Sequence, residues 1–425
     1  EMIPEIQELA VHGAEWTTKE LFTYPNEYIY WTIQIVMYPL MTGFVAGAFV
    51  LSSMYHVFGQ KDLKDLAKFS LVFSFALLLV APMPLLLHLQ QPLRNHNVFM
   101  TPHFTSAIAA FGLVFSLYAA LVAYEIWFVY RKHFVETALS LRKKADKTLA
   151  DSIQYSIYNL LTLGAYDVSE QAVKKDEKAV KILAGVGIPV ACFLHGYAGF
   201  IFGSVKANAL WMTPLMPVIF IMSAIVSGVA LCMLTYIVIM EWKKFRAVKK
   251  HEDRISMEIK GAEIDVIRKS SRYLIGAMIA AITLEILDLV FRGYTAMKSW
   301  DILRSVIYGK DFANIFILQY LCGNVVPFAM LLLPGLTIRR TVIATILVMF
   351  GVFMMRWNVV IGGQSFSLSF AGYMHYTLPV IPHNVETFKE GVGGALVIAV
   401  LPFIFFWFFN KFAPSLKFTK ENMPE

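Results

Sequence analysis

YWTIQIVMYPLMTGFVAGAFVLSSMY, residues 30–55, carries no charged side chain, and its reading decides the fold. A hydrocarbon core about 30 Å thick takes about 20 residues of helix, and lipid offers no partners for open backbone groups. A run of this kind therefore crosses a bilayer as a helix. Eight further apolar runs follow, at 66–89, 105–130, 181–205, 213–241, 273–291, 314–338, 341–360 and 391–411. The expectation is an all-α, polytopic membrane protein of about nine transmembrane helices (8–10), arranged as two four-helix bundles plus an extra helix.

Composition agrees. Hydrophobic residues make up 57% of the chain and charged ones only 16%, and the mean hydropathy is +0.59. Soluble domains carry about a quarter charged residues. The net charge of +7 does not describe a nucleic-acid binder, because the basic residues flank helices instead of sharing one face or tail.

Most of those basic residues sit in every second gap; the intervening ones carry only Arg94, Lys206, Arg292, Lys298, Arg304, Lys310, Arg356 and Lys389. Lys61, Lys64 and Lys68 come first, then Arg131, Lys132, Arg142, Lys143, Lys144, Lys174 and Lys175. Next are Lys243, Lys244, Arg246, Lys249, Lys250, Arg254, Arg268 and Lys269, then Arg339 and Arg340, and finally Lys411, Lys417 and Lys420. Cytoplasmic loops concentrate Lys and Arg, so these gaps face the cytoplasm. The N-terminus then lies outside, the C-terminus inside, and the address is the cytoplasmic (inner) membrane. No cleavable signal pattern precedes the first span, which reads as a retained helix.

The expected organisation is an extracytoplasmic segment 1–29, a first bundle 30–205 with a cytoplasmic insert 131–180, a second bundle 206–360, an extracytoplasmic loop 361–390, and a final helix with its tail at 391–425. Within the insert, residues 149–166 place Ile153, Ile157, Leu160, Leu161 and Tyr155 at helical spacing but are too polar to span. Such a helix lies on the membrane surface or packs under the bundle.

Cys192, Cys232 and Cys322 fall singly in three different spans. Iron–sulfur clusters and Cys-rich zinc sites need clustered thiolates, so the chain is expected to hold no iron–sulfur cluster and no metal of its own. Of the ten histidines only His195 is well inside a span; His88, His96 and His103 cluster around the outer ends of the second and third. A two-haem cytochrome lacks ligands here.

Polar groups at lipid depth are costly and direct attention to function. Trp31, Gln34 and Tyr38 share a face of the first span, with Tyr30 one turn from Gln34. His195 and Tyr197 stand among Gly185, Gly187, Gly196, Gly199 and Gly203, and Gly43 and Gly47 form a GxxxG; small residues of this kind let helices approach closely. The sixth span carries Glu285, Asp288 and Arg292 as one stripe, and Arg356 and Asn358 lie near the outer end of the eighth. A lone Glu285 needs a partner, and Arg356 is the obvious one. Gln319, Asn324 and Pro327 near mid-depth of the seventh span break its helix locally.

Several strings resemble the NrfD/PsrC-type membrane subunits of polysulfide-reductase-like complexes. HGYAGFIFG (195–203) and LWMTPLMPVIFIMSAIVSGVAL (210–231) are similar to that family's fourth and fifth helices. HLQQPLR (88–94) is similar to its L-D-L-G-R-P-x-R turn, with Pro92 and Arg94 kept, His88 in place of the acidic residue, and Gln90 and Gln91 in place of Gly and Arg. YPLMTGFVAGAF (38–49) resembles its first helix, and RWNVVIGGQ (356–364) resembles the longer, HybB-like branch that includes subunits of sulfate-reducer complexes. The resemblance covers most of 28–365.

It implies a haem-free membrane anchor of a respiratory oxidoreductase, in anaerobic respiration and sulfur metabolism. Such an anchor exchanges electrons between the quinone pool, menaquinone included, and a ferredoxin-like iron–sulfur subunit on the extracytoplasmic side. A molybdopterin catalytic subunit or a multihaem cytochrome c lies beyond it. It further implies a quinone site in the first bundle near the outer surface, carried here onto His195 and Tyr197, with Tyr30, Gln34, His88 and Arg94 beside them. Quinone conversion moves two protons, for which His195 would exchange a proton and Tyr197 would bind an oxygen. Positions 195 and 197 point about 200° apart, so one ligand reaches both only if the glycine-rich helix is distorted. Glu285, Asp288 and Arg356 are the expected proton path, making the complex proton-translocating. The residues alone leave two alternatives open: a secondary ion-coupled transporter, or a haem b membrane cytochrome with His195 as a ligand.

Overall fold

The computed structural model describes residues 29–106, 108–144, 148–206, 208–249, 263–294, 300–365, 373, 374 and 376–416. The expected outer segment before Ile29, the basic residues Lys250, Arg254, Lys417 and Lys420, and the centre of the loop 361–390 lie outside the described residues.

The described residues hold nine helices long and apolar enough to cross a membrane, and no strand. They are α1 Ile33–His56, α2 Lys61–His88, α3 Phe111–Lys143, α4 Glu170–Gly203, α5 Met216–Arg246, α6 Ile264–Tyr294, α7 Ala313–Leu332, α8 Ile338–Gln364 and α9 Val392–Phe412. Hydroxyl caps open three of them. Thr32 accepts from the Gln34 amide, Ser169 from Ala172 and Thr337 from Arg340, each satisfying an amide that a helix start leaves open.

On the side of the basic loops, α3, α4, α5 and α6 run past their apolar limits as charged helix. Hydropathy ends there, but helical hydrogen bonding does not. Two spans are irregular. The second turns at Ala81–Pro82 before its last piece, Met83–His88, because a proline inside a helix removes a donor and crowds the preceding turn. The seventh winds with i→i+5 bonding over Ala313–Val325 and reverts to α at Val326, one residue before Pro327. A widened turn of this sort is often found at functional positions.

Spans α1–α4 pack on one another, as do α5–α8, and α9 lies along α2 and α1. The two groups meet where α1 crosses α5. Of the most apolar stretch of α1, 89% is buried by protein, against 17% in α6, so α1 is the central strut and α6 faces outward. The crossing depends on glycine. A Cβ on Gly47 would fall onto the Ala224 carbonyl and the Gly228 Cα, and one on Gly228 would meet Gly47. Gly323 and Gly351 bring α7 and α8 equally close. Gly47→Val is expected to destabilise the protein by about 1–3 kcal/mol or more, since backbone on both sides must shift. Thermal unfolding in detergent measures this; an unchanged midpoint would remove the crossing from the account.

The helix Leu149–Leu161 packs under the bundle against the extension of α3. Thr148 and Asp151 form a reciprocal capping box at its start. Arg131 fixes the returning chain through Asp176 (2.8 Å) and the carbonyls of Ala165 (3.1 Å) and Asp167 (2.6 Å).

Candidate functional site

At the end of the bundle opposite the basic loops, three distant segments meet. Thr32 caps α1, the kinked last turn of α2 presents His88, and Glu390 stands just ahead of α9. Asn384 caps a short helix, Val385–Lys389, that delivers Glu390 to this place. His88 Nδ1 lies 3.0 Å from Glu390 Oε2, and the Thr32 hydroxyl donates to the same oxygen. The Gln34 amide donates to the Lys389 carbonyl, while its Oε1 is buried without a hydrogen-bond partner. Gly394 makes room for this bond, because a Cβ there would strike the Gln34 amide nitrogen.

Beside the pair opens a cleft of about 750 Å³, lined by Tyr30, Thr32, His88, Arg94, Glu390 and Val98 among others. Tyr30 and Arg94 form an exposed rim, whereas the side chains of His88 and Glu390 are 24% and 21% exposed. Burial pushes the Glu390 carboxyl up. The hydrogen bonds from His88 and Thr32, with the charges of His88 and Lys389, outweigh it and hold the group below the usual carboxylate range. An ionised Glu390 accepts from His88 Nδ1 and so leaves Nε2 as the ring's other exchange position.

His195 is elsewhere. It is fully buried and does not line the cleft. Its Nε2 lies 3.1 Å from Arg356 Nη2, and its Nδ1 lies 3.2 Å from Thr42 Oγ1. Arginine has no acceptor, so Nε2 must accept and the ring proton must sit on Nδ1. Thr42 then accepts that proton's bond and passes its own to the Tyr38 carbonyl (3.1 Å). Both ring nitrogens of a neutral His195 are thereby used. Arg356 Nη2 also donates to Ser223 Oγ (2.6 Å), and the guanidinium lies 3.7 Å from the centre of the Phe220 ring.

Tyr197 turns the other way, with its ring against Phe111, Phe193 and Phe200. Since α4 is continuous through the glycine-rich segment, His195 and Tyr197 face different neighbours and do not converge on one ligand. Of the residues expected at the quinone site, the structure brings together Tyr30, His88 and Arg94 in the cleft, with Gln34 packed behind it. It keeps His195 and Tyr197 apart from them.

The charged stripe of α6 also divides. Asp288 pairs with Arg292 (2.8 Å) and accepts from Thr213 (2.6 Å), while Arg292 donates to the Ala209 carbonyl (2.7 Å). This pins α6 to the α4–α5 connection. Glu285 accepts from Gln319 (3.0 Å), which in turn accepts from Asn358 (2.7 Å), linking α6, α7 and α8. The expected Glu285–Arg356 pair is not among the ion pairs of the described residues; Arg356 is given over to His195 and Ser223 instead. Positions 356 and 358 point to opposite sides of α8, which separates the two networks.

The sequence reading passed over Glu390, Thr32 and Glu125. A carboxylate immediately before the GVGG start of the last span was the signal for Glu390. For Glu125, which is fully buried in α3, it was a lone acid inside an apolar run.

The family model described as polysulphide reductase, NrfD matches residues 22–368. The chain is 30% identical over 259 residues to a selenate reductase subunit of Mesobacillus selenatarsenatis, covering 59% of this chain and 58% of that protein. It thus spans less than two thirds of that relative's length. It is also 24% identical over 368 residues to a putative dimethyl sulfoxide reductase membrane subunit of Halobacterium salinarum, covering 85% of this chain and 73% of that one.

Proposed function

The chain belongs to the polysulphide reductase NrfD family, and from that premise we propose that it is the quinone-reactive membrane anchor of a respiratory reductase complex. Its relatives are subunits of a selenate reductase and of a putative dimethyl sulfoxide reductase, which supports a membrane subunit serving a catalytic partner. The proposed partner in contact is an iron–sulfur subunit seated over the cleft end, with a molybdopterin subunit or multihaem cytochrome c beyond. The basic loops then face the cytoplasm, and the bilayer is the cytoplasmic membrane.

The observation that carries this reading is the cleft at the ends of α1 and α2, where His88 and Glu390 meet under a rim of Tyr30 and Arg94. A bound quinone would supply acceptance of two electrons and two protons from its surroundings. The groups present suit its head. Tyr30 and Arg94 can donate to a carbonyl oxygen, and the Glu390-oriented His88 can give or take a proton at Nε2. Apolar Leu87, Leu89 and Val98 provide a wall for the ring and the start of the tail. Redox-linked proton translocation belongs to the same proposal. Of the residues expected for it, Glu285 is the one whose bonds join three helices, through Gln319 and Asn358.

A photoreactive quinone analogue bound to the purified protein tests this. Illumination is expected to label residues within 87–98 or Tyr30. Labelling confined to the surroundings of His195, or none at all, would reject the cleft as the site.

A further inference from the structure

Along α3 stand three buried polar side chains with no hydrogen-bond partner among the described residues. Tyr118 is fully buried and its hydroxyl is unpartnered. Both carboxyl oxygens of Glu125, also fully buried, make no bond. The Tyr130 hydroxyl is in the same condition at 5% exposure. Tyr118 and Glu125 are seven residues apart, two turns on one face and about 10 Å along the axis; Tyr130 lies about 8 Å further on.

Buried polar atoms are nearly always bonded, and leaving a carboxyl bare at lipid depth costs several kcal/mol. Three such groups on one helix point to partners other than protein side chains. Bound water is such a partner where polar atoms border enough space. Tyr118 packs beside Phe49 of α1. At the other end Tyr130 stands next to Arg131 of the basic flank, and Asp65 is exposed at the start of α2, which packs on α3. The run therefore begins at the basic end of the bundle. It continues toward Phe111, which packs on Tyr38 and Tyr197 at the cleft end.

We propose that Glu125 is a proton-holding site on a hydrated file along α3, receiving protons past Asp65 and Tyr130 at the basic end and passing them by Tyr118 toward the cleft. This rests on the reading of the cleft as a quinone site only for the destination of the proton. The step itself is a transfer between carboxylic acid and water: the Glu125 O–H bond breaks as a hydronium forms on the cleft side, and the carboxylate is reprotonated from the basic side. No electron moves at Glu125.

Infrared spectroscopy of the full-length protein in lipid at neutral pH is the first test. The wild type is expected to show a protonated-carboxyl carbonyl band that shifts on transfer into heavy water, with a component that Glu125→Gln removes. In the intact complex, Glu125→Gln is expected to slow quinol-linked turnover about tenfold or more. Glu125→Asp should restore part of it, and affinity for a quinone analogue should not change. A wild type without an exchangeable carboxyl band overturns the proposal whatever the variants do. So does a Glu125→Gln protein that keeps every band component, or one that turns over at the wild-type rate. If the Glu125 band exchanges but no quinone analogue binds, the proton site stands and the cleft reading falls.

Discussion

His88→Phe is expected to lower quinone-linked turnover of the complex about a hundredfold, the scale typical of losing a positioned acid–base group. The phenyl ring keeps the bulk against Leu87 and Leu89 but removes both nitrogens from the cleft. Glu390→Gln should fall between this variant and the wild type. Its amide can still meet Nδ1 but no longer favours a proton there, so tautomer and orientation loosen while the imidazole survives. The two should separate by pH. Glu390 is held below the usual carboxylate range, so its bonds to His88 and Thr32 are made above that range and lost as pH falls through the folded-state value. The wild type is expected to lose activity on that acid side, and Glu390→Gln is expected to lack that limb. Steady-state turnover with quinol, resolved into kcat and KM across pH, is the measurement. Wild-type rates in His88→Phe would remove the cleft from the mechanism.

The nine spans were legible because the bilayer imposes one rule on every crossing segment, and apolar length reports it directly. Their continuations were not. Residues 131–143, 170–180 and 264–272 are charged helix with no hydropathy to mark them, and only the structure shows the chain still winding there. The candidate site was partly legible for a related reason. Tyr30, His88 and Arg94 lie at span ends, where polar groups stand out against apolar neighbours. Glu390 could not be joined to them, since 302 residues separate it from His88. The partners of His195 were not legible, because a histidine in an apolar run looks available whereas its bonds depend on what α1 and α8 present to it. Glu125 lies six residues before Arg131, close enough to the basic flank to pass for an interfacial residue.

His195→Phe is expected to act on stability before it acts on turnover. The substitution removes the acceptor that Arg356 Nη2 reaches at 3.1 Å and leaves a buried guanidinium bonded chiefly to Ser223 and the Phe220 carbonyl. Stripping one partner from a buried charge costs about 3–5 kcal/mol. Arg356→Met leaves only a neutral Nε2 unpaired, a penalty of about 1–3 kcal/mol. The double variant His195→Phe/Arg356→Met removes donor and acceptor together, so it should be more stable than His195→Phe alone, with a coupling of about 1–3 kcal/mol between the sites. Unfolding of the four proteins in detergent gives that coupling, and strictly additive losses would dissolve the junction as a unit. Activity per folded molecule decides the other half. If His195→Phe keeps its stability yet loses turnover as completely as His88→Phe, then His195 exchanges the quinone proton and the cleft does not. The geometry leads to the opposite expectation, because a ring with one nitrogen committed to a cation and the other to Thr42 has no position left from which to trade a proton.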